Sequence, residues 1–411
     1  MHILHLPFKL LTLTGIWMPE DWTQKQQKLI WVLYSMVSIG LVFMQLSSQV
    51  GYLMQSKTWA QVNERLFFIP TGISSVHKIF IFIVHRKDLI SLGNMLLKEY
   101  CIPRNAEELS IQERYNEIIR VLTLACAFLV NVTMMNLVTL PLVTSGDNRT
   151  LPMRVWLPYK VDSDMSYWLS YAHQTVGIVF VGTGAVGSTL MINGFMYQVC
   201  CQFEILSSRF QNLPLIIEKF QSLKKPNQLI YRYEKRVMRQ NIHHHLYIFR
   251  FAEALNNIFK SVIFQQFCLS SIVVSVSIYQ LSTRPEKDLE FIMVFFYLVC
   301  VLVEFLVYSW FGNELMLESL NFQQTIYEIN WTSLSTRSSR DLVLIMMRAS
   351  KPIIMYCGHF IVLSLESYIG VSMYVIEEIF VNSRFNVSIY FCTQILKVSY
   401  SVFNILRMSE E

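Results

Sequence analysis

The sequence predicts an all-α integral membrane protein with seven transmembrane helices, an intracellular N-terminus and a cytosolic helical layer. Two observations carry this. Apolar stretches at 29–54, 66–84, 118–144, 168–200, 258–281, 291–311 and 353–376 are each close to or above the ~20 residues a helix needs to cross a bilayer. Basic residues also alternate between the connections. The N-terminal stretch and the connections 85–117, 201–257 and 312–352 carry 21 Lys and Arg, and the alternate connections carry 7. Positive charge stays cytosolic, so the N-terminus lies inside and 55–65 is the first outer loop. Composition agrees: 53% of the 411 residues are hydrophobic and 15% charged, against about 25% charged in ordinary soluble domains.

The elements follow in chain order. Residues 1–28 form a cytosolic N-terminal segment, 29–406 one polytopic helical unit, and 407–411 a short tail. Met1 to Trp22 has only a short apolar run, Leu10, Leu11 and Leu13, so a cleaved signal peptide is not expected. The inner connections 85–117 and 201–257 have few Gly or Pro. They carry apolar residues at helical spacing, as in Ile216, Ile217, Phe220, Leu223 and in Leu246, Phe249, Leu255. They read as extensions of the membrane helices below the bilayer, with breaks expected at Pro214 and Pro226.

The net charge of +5 is accounted for by the inner loops, with no basic stripe on a soluble domain, so no nucleic-acid partner is expected. None of the eight cysteines falls in an outer loop, so no extracellular disulfide is expected. Cys200 and Cys201, at the inner end of the fourth span, read as packing residues, with palmitoylation as the alternative. The sequon Asn148-Arg149-Thr150 lies in an outer connection, where a glycan is expected. Asn330 lies inside and Asn131 within a span, so both should stay unmodified.

Three patterns invite chemical readings. Gly182-Thr183-Gly184-Ala185-Val186-Gly187 matches G-x-G-x-x-G, yet it sits midway through an apolar stretch rather than between a strand and an amphipathic helix. Small residues there read as close helix packing. His243, His244 and His245 point about 100° apart on a helix and suit no single metal ion; a solvated or lipid-proximal polar face is expected instead. No catalytic constellation stands out, and no enzyme activity or cofactor is expected. Lys78, Glu304 and Glu366 are ionisable groups within spans, which lipid penalises. Each is expected to face a water-filled cavity, to snorkel or to pair with another buried polar group, with Glu304 or Glu366 as candidates for affecting permeation or gating.

The outer halves of the spans carry Phe68, Thr71, Met135, Val138, His173, Phe180, Phe295 and Tyr297. A mostly apolar, aromatic pocket with a few polar groups suits a small, volatile, lipophilic ligand. Ordinary interfacial aromatic packing is the alternative for any one of them.

The C-terminal third carries a family resemblance. Gly312-Asn313-Glu314-Leu315 with Glu318-Ser319, then Trp331, then Met346-Met347-Arg348-Ala349-Ser350-Lys351-Pro352, resembles the insect odorant receptor family. So does Ile395-Leu396-Lys397-Val398-Ser399-Tyr400-Ser401-Val402-Phe403-Asn404-Ile405-Leu406, and Gly15-Ile16-Trp17-Met18-Pro19 is similar to the family's start. The resemblance implies a subunit of an odorant-gated, non-selective cation channel in the plasma membrane of the olfactory neuron dendrite. It implies assembly with the odorant receptor co-receptor as a heterotetramer through the cytosolic layer, with no G protein required. It also implies that the last helix lines the pore, with Ile405 at an apolar constriction and Ser401 and Asn404 on the ion path. Such a constriction gates by dewetting.

One stretch departs from the family pattern. Between Ser364-Leu365-Glu366-Ser367-Tyr368 and Thr393-Gln394-Ile395, residues 370–391 are in excess. That is enough for about one membrane crossing. A translated intron or gene-model error is expected. The alternatives are an eighth span, or an extracellular excursion exposing the Asn386-Val387-Ser388 sequon. Other function classes are a gustatory-type receptor of the same topology and a polytopic transporter, which needs an inverted repeat around a midplane site. A G-protein-coupled receptor is disfavoured by the orientation and by the missing outer cysteines.

Overall fold

The computed structural model describes residues 4–369 apart from 20–21, 23, 145–149, 160, 162, 284–288, 359–360 and 367. In chain order the elements are α1 (His5–Leu13), α2 (Lys25–Met54), α3 (Trp59–Arg65), α4 (Ile69–Val84), α5 (Arg86–Leu96), α6 (Ala106–Thr144), α7 (Asp164–Ser222), α8 (Asn227–Thr283), α9 (Leu289–Glu328) and α10 (Thr336–Ala349). Two short strands follow, β1 (Tyr356–Cys357) and β2 (Ile361–Val362), paired antiparallel with Tyr356 opposite Val362.

Five helices, α2, α6, α7, α8 and α9, are long and apolar enough to cross a membrane, and α4 is a shorter apolar helix. The chain is therefore a multi-pass membrane protein. At 59 and 57 residues, α7 and α8 run to roughly 85–90 Å at 1.5 Å per residue, against the ~30 Å of a hydrocarbon core. Their excess length, with α5, α10 and the first turns of α6, builds the helical layer at one end of the bundle.

α7 is the central pillar and packs against α1, α6, α8 and α9. From Val186 to Ile205 almost every side chain is buried, Cys200 and Cys201 among them. Packing is thus the role of that pair. The glycine motif is likewise a packing device: a Cβ on Gly187 would stand 3.1 Å from Leu11 Cγ, and one on Gly182 would collide with Met134 Sδ.

Three expectations are corrected. Pro214 does not break α7, which continues to Ser222. Pro214 and the neighbouring Leu213 are buried, so tertiary packing offsets the one backbone hydrogen bond that proline removes. Pro226 does mark the break before α8.

Of the histidine run only His243 is exposed; His244 and His245 are buried rather than solvated or lipid-facing. His244 is buried between Arg209 Nη1 (3.1 Å) and Gln202 Oε1 (2.9 Å), and His245 stacks on Phe322. Arg209 also donates to Glu108 at 3.0 and 2.7 Å and to the carbonyls of Tyr100 and Ile102. This buried network ties α6, α7 and α8 together.

No helix starts at 353. Ile353 N–H donates to Ser319 Oγ at 2.9 Å and Tyr356 N–H to Asn256 Oδ1 at 3.0 Å. The two-strand pair then turns at Gly358, whose φ of 69° suits glycine. Pro352, without an N–H and with φ fixed, begins this extended run. The stretch 370–391 and the expected pore residues Ser401, Asn404 and Ile405 lie outside the described residues, as does Asn148.

Candidate functional site

The polar groups that the apolar spans carry converge on one place. Lys78 of α4 and Glu304 of α9 form an ion pair at 2.6 Å. Lys78 Nζ also donates to Thr189 Oγ1 of α7 (3.2 Å), and Thr189 donates to Glu304 Oε1 (2.7 Å). The other carboxylate oxygen accepts from Gln266 Nε2 of α8 at 3.0 Å, and Gln266 Oε1 accepts from Ser74 at 2.5 Å. Four helices therefore share one hydrogen-bonded cluster in which both carboxylate oxygens and the ammonium are satisfied. That is the condition for keeping such charges in a low-dielectric interior.

Above this cluster lies a cavity of about 160 Å³, walled by α2, α4, α6, α7 and α9 and by the loop residue Met153. Its lining is almost entirely apolar, including Val130, Met134, Ile178, Val186 and Met293. Glu304 and Thr189 form its floor. An engineered cavity of ~150 Å³ with apolar walls holds benzene, so the space suits a molecule of about that girth.

Of the eight residues expected at a ligand pocket, Phe68, Thr71 and Tyr297 line this cavity. Thr71 Oγ1 and the Tyr297 hydroxyl are hydrogen-bonded to each other, and Phe67, Phe68 and Tyr297 form an aromatic group with centroids 4.5–5.3 Å apart. Val138 packs behind the wall with Met134, Leu137, Met153 and Ile178. The other four stand elsewhere. Met135 is 66% exposed and faces outward from α6. Phe180 packs against Tyr34, Phe295 against Phe296, and the half-buried His173 is not part of the lining. Glu366 is exposed.

Sequence reading missed Gln45 and Gln49 of α2, both buried on the cavity wall. An i,i+4 pair of glutamines in an otherwise apolar span was the available signal. It also missed Met153, which lines the cavity from the connection between α6 and α7. Met153 N–H donates to Gln174 Oε1 at 2.9 Å, and Trp156 N–H to Ser48 O at 3.0 Å, so the segment around Met153 is tied to α7 and α2.

The 7tm Odorant receptor family model matches residues 58–373, which is well over half of the chain. The chain belongs to the odorant receptor family. Odorant receptor Or1 of Anopheles gambiae is 21% identical over 96% of this chain and 93% of its own length. Odorant receptor 82a of Drosophila melanogaster is 21% identical over 76% and 81%. Among solved structures, the olfactory receptor OR5 of Machilis hrabei in complex with eugenol superposes with a TM-score of 0.77 at 16% identity, covering 95% of this chain and 97% of that one. The same receptor without the ligand named gives 0.79. The Machilis receptor shares the fold described above, and the cavity of this odorant receptor lies within it.

Proposed function

We propose that this receptor is the ligand-tuning subunit of a heteromeric odorant-gated, non-selective cation channel of the plasma membrane, working with the odorant receptor co-receptor. The observation that carries the reading is the apolar cavity beside the Lys78–Glu304 pair in a member of the odorant receptor family. A small volatile molecule leaves water for such a space at a gain of roughly 25 cal/mol per Å² of apolar surface. Phe68, Thr71 and Tyr297 are its proposed contacts. Ser401, Asn404 and Ile405 are proposed to line the pore, with Ile405 the apolar constriction. The name of the Machilis structure, a complex with eugenol, supports the choice of small aromatic odorants in a first panel.

The test is whole-cell current during an odorant panel, for the chain expressed with and without the co-receptor, in full-length form and lacking 370–391. Odorant-evoked cation current that requires the co-receptor is the expected result. A larger current from the shortened form is expected if 370–391 is translated intron. Current driven by tastants without the co-receptor would instead make the chain a gustatory-type receptor.

A further inference from the structure

The polar groups at the two ends of the cavity differ in one respect. At the floor, Glu304, Lys78 and Thr189 are each hydrogen-bonded within the protein. At the outer end, the partner of the Gln45 and Gln49 amides among the described residues is a thioether. Gln45 Nε2 lies 2.8 Å and Gln49 Nε2 3.4 Å from Met153 Sδ, and a thioether sulfur is a weak acceptor. Gln49 is 7% exposed, and its Oε1 has no hydrogen-bond partner among the described residues. Both side chains line the cavity. A buried carboxamide oxygen without a donor is costly, and a group that completes it is favoured.

Resting on the reading of this cavity as the odorant site, we propose that Gln45 and Gln49 form a hydroxyl subsite. The favoured ligand is then a compact molecule with one alcohol or phenol group on an apolar body. Its oxygen accepts from the Gln45 amide, and its O–H donates to Gln49 Oε1. The two glutamines are one helical turn apart on the same face of α2, so one hydroxyl between them can serve both. The apolar body points down toward Val130 and Val186 and stops short of the satisfied floor. An apolar isostere leaves Gln49 unpaired and displaces whatever water served it. A site built this way discriminates by the group that is missing, far more strongly than a site that merely measures size.

The experiment is equilibrium binding to the purified full-length chain in lipid nanodiscs, using benzyl alcohol, its near-isostere ethylbenzene, and benzaldehyde, which only accepts. The expected order is benzyl alcohol tightest and ethylbenzene weakest, with a preference of about tenfold or more between them. In Gln49→Leu the preference for benzyl alcohol over ethylbenzene falls by about tenfold, while ethylbenzene binds as well or better. That gain for ethylbenzene also shows the variant to be folded. Gln49→Glu, an acceptor of similar shape, keeps the preference for the alcohol over the aldehyde. Equal binding of benzyl alcohol and ethylbenzene, unchanged by Gln49→Leu, would overturn the subsite and leave the cavity intact as an odorant site. Failure of all three probes to bind would overturn the cavity reading, and the subsite with it.

Discussion

Lys78 on α4 and Glu304 on α9 are 226 residues apart in sequence and meet at 2.6 Å in the middle of the bundle. Each alone is an expensive group for a membrane helix to carry. Together, with Thr189 and Gln266 completing their hydrogen bonds, they fix the register of three long helices around one point.

Breaking this pair from one side should therefore cost more than removing it. Lys78→Met or Glu304→Gln alone should lose on the order of 3–5 kcal/mol, because a buried charged or polar partner is stranded. The double variant should lose less than the sum of the two, with a coupling of about 1 kcal/mol or more. SDS-induced unfolding of the four proteins measures this. Strictly additive losses would show that the pair is incidental.

The space above the pair can be filled from one position. Ala185 of α7 borders both the cavity and the small polar slot beside Glu304. Ala185→Leu adds an isopropyl group there and should raise the half-maximal odorant concentration by about tenfold or more. Surface labelling and thermal stability should stay level or rise, since an existing void is being filled. A fall in stability alongside the lost response would point instead to overpacking.

His245 in the helical layer supplies a pH signature. Burial, with the Arg348 guanidinium nearby, pushes its imidazole down to about 4 from an ordinary 6.5. The unfolded chain therefore takes up a proton that the folded chain refuses. Stability is full above pH 6.5 and is lost as pH falls from 6.5 toward 4. Melting temperatures across that range should drop for the wild type. His245→Phe, which keeps the ring against Phe249 and Phe322, should reduce the slope and leave the share of His244, whose imidazole burial and the Arg209 guanidinium also push down.

Orientation can be read from glycans. Asn330 caps the short helical turn at Trp331–Ser333 and donates to Glu218 at 2.7 Å, so its amide is already engaged within the layer. A glycosidase-sensitive mass shift should vanish in Asn148→Gln and persist in Asn330→Gln. The reverse pattern would invert the membrane orientation deduced from the basic residues.

Much of this architecture was legible in the sequence because a bilayer imposes it. Length and hydropathy marked α2, α4, α6, α7, α8 and α9, and the small residues at Gly182 and Gly187 were readable as helix contacts. What could not be read was rotation about each helix axis. In spans that are apolar all round, periodicity does not say which face turns inward. Met134 therefore lines the cavity while its neighbour Met135 faces outward, and Phe180 ends against Tyr34. The Lys78–Glu304 contact was hidden for a related reason: two ionisable groups in spans announce a need for partners without naming them. The proline at 214 misled because a local rule was outweighed by burial, and the start at 353 because apolar content alone cannot distinguish a helix from an extended turn.

The unbroken length of α7 has a mechanical consequence. Ala185 touches the cavity, and Ser222 ends the same helix in the layer below, about 55 Å away along the axis. A rod of that length multiplies angles into distances: a tilt of about 5° at the cavity would carry its far end about 5 Å. A guest too small to displace any wall by more than a fraction of a bond length could thus be registered at the opposite end of the protein. The end of α7 is accordingly the place where a distance label would register an occupied cavity with the largest signal.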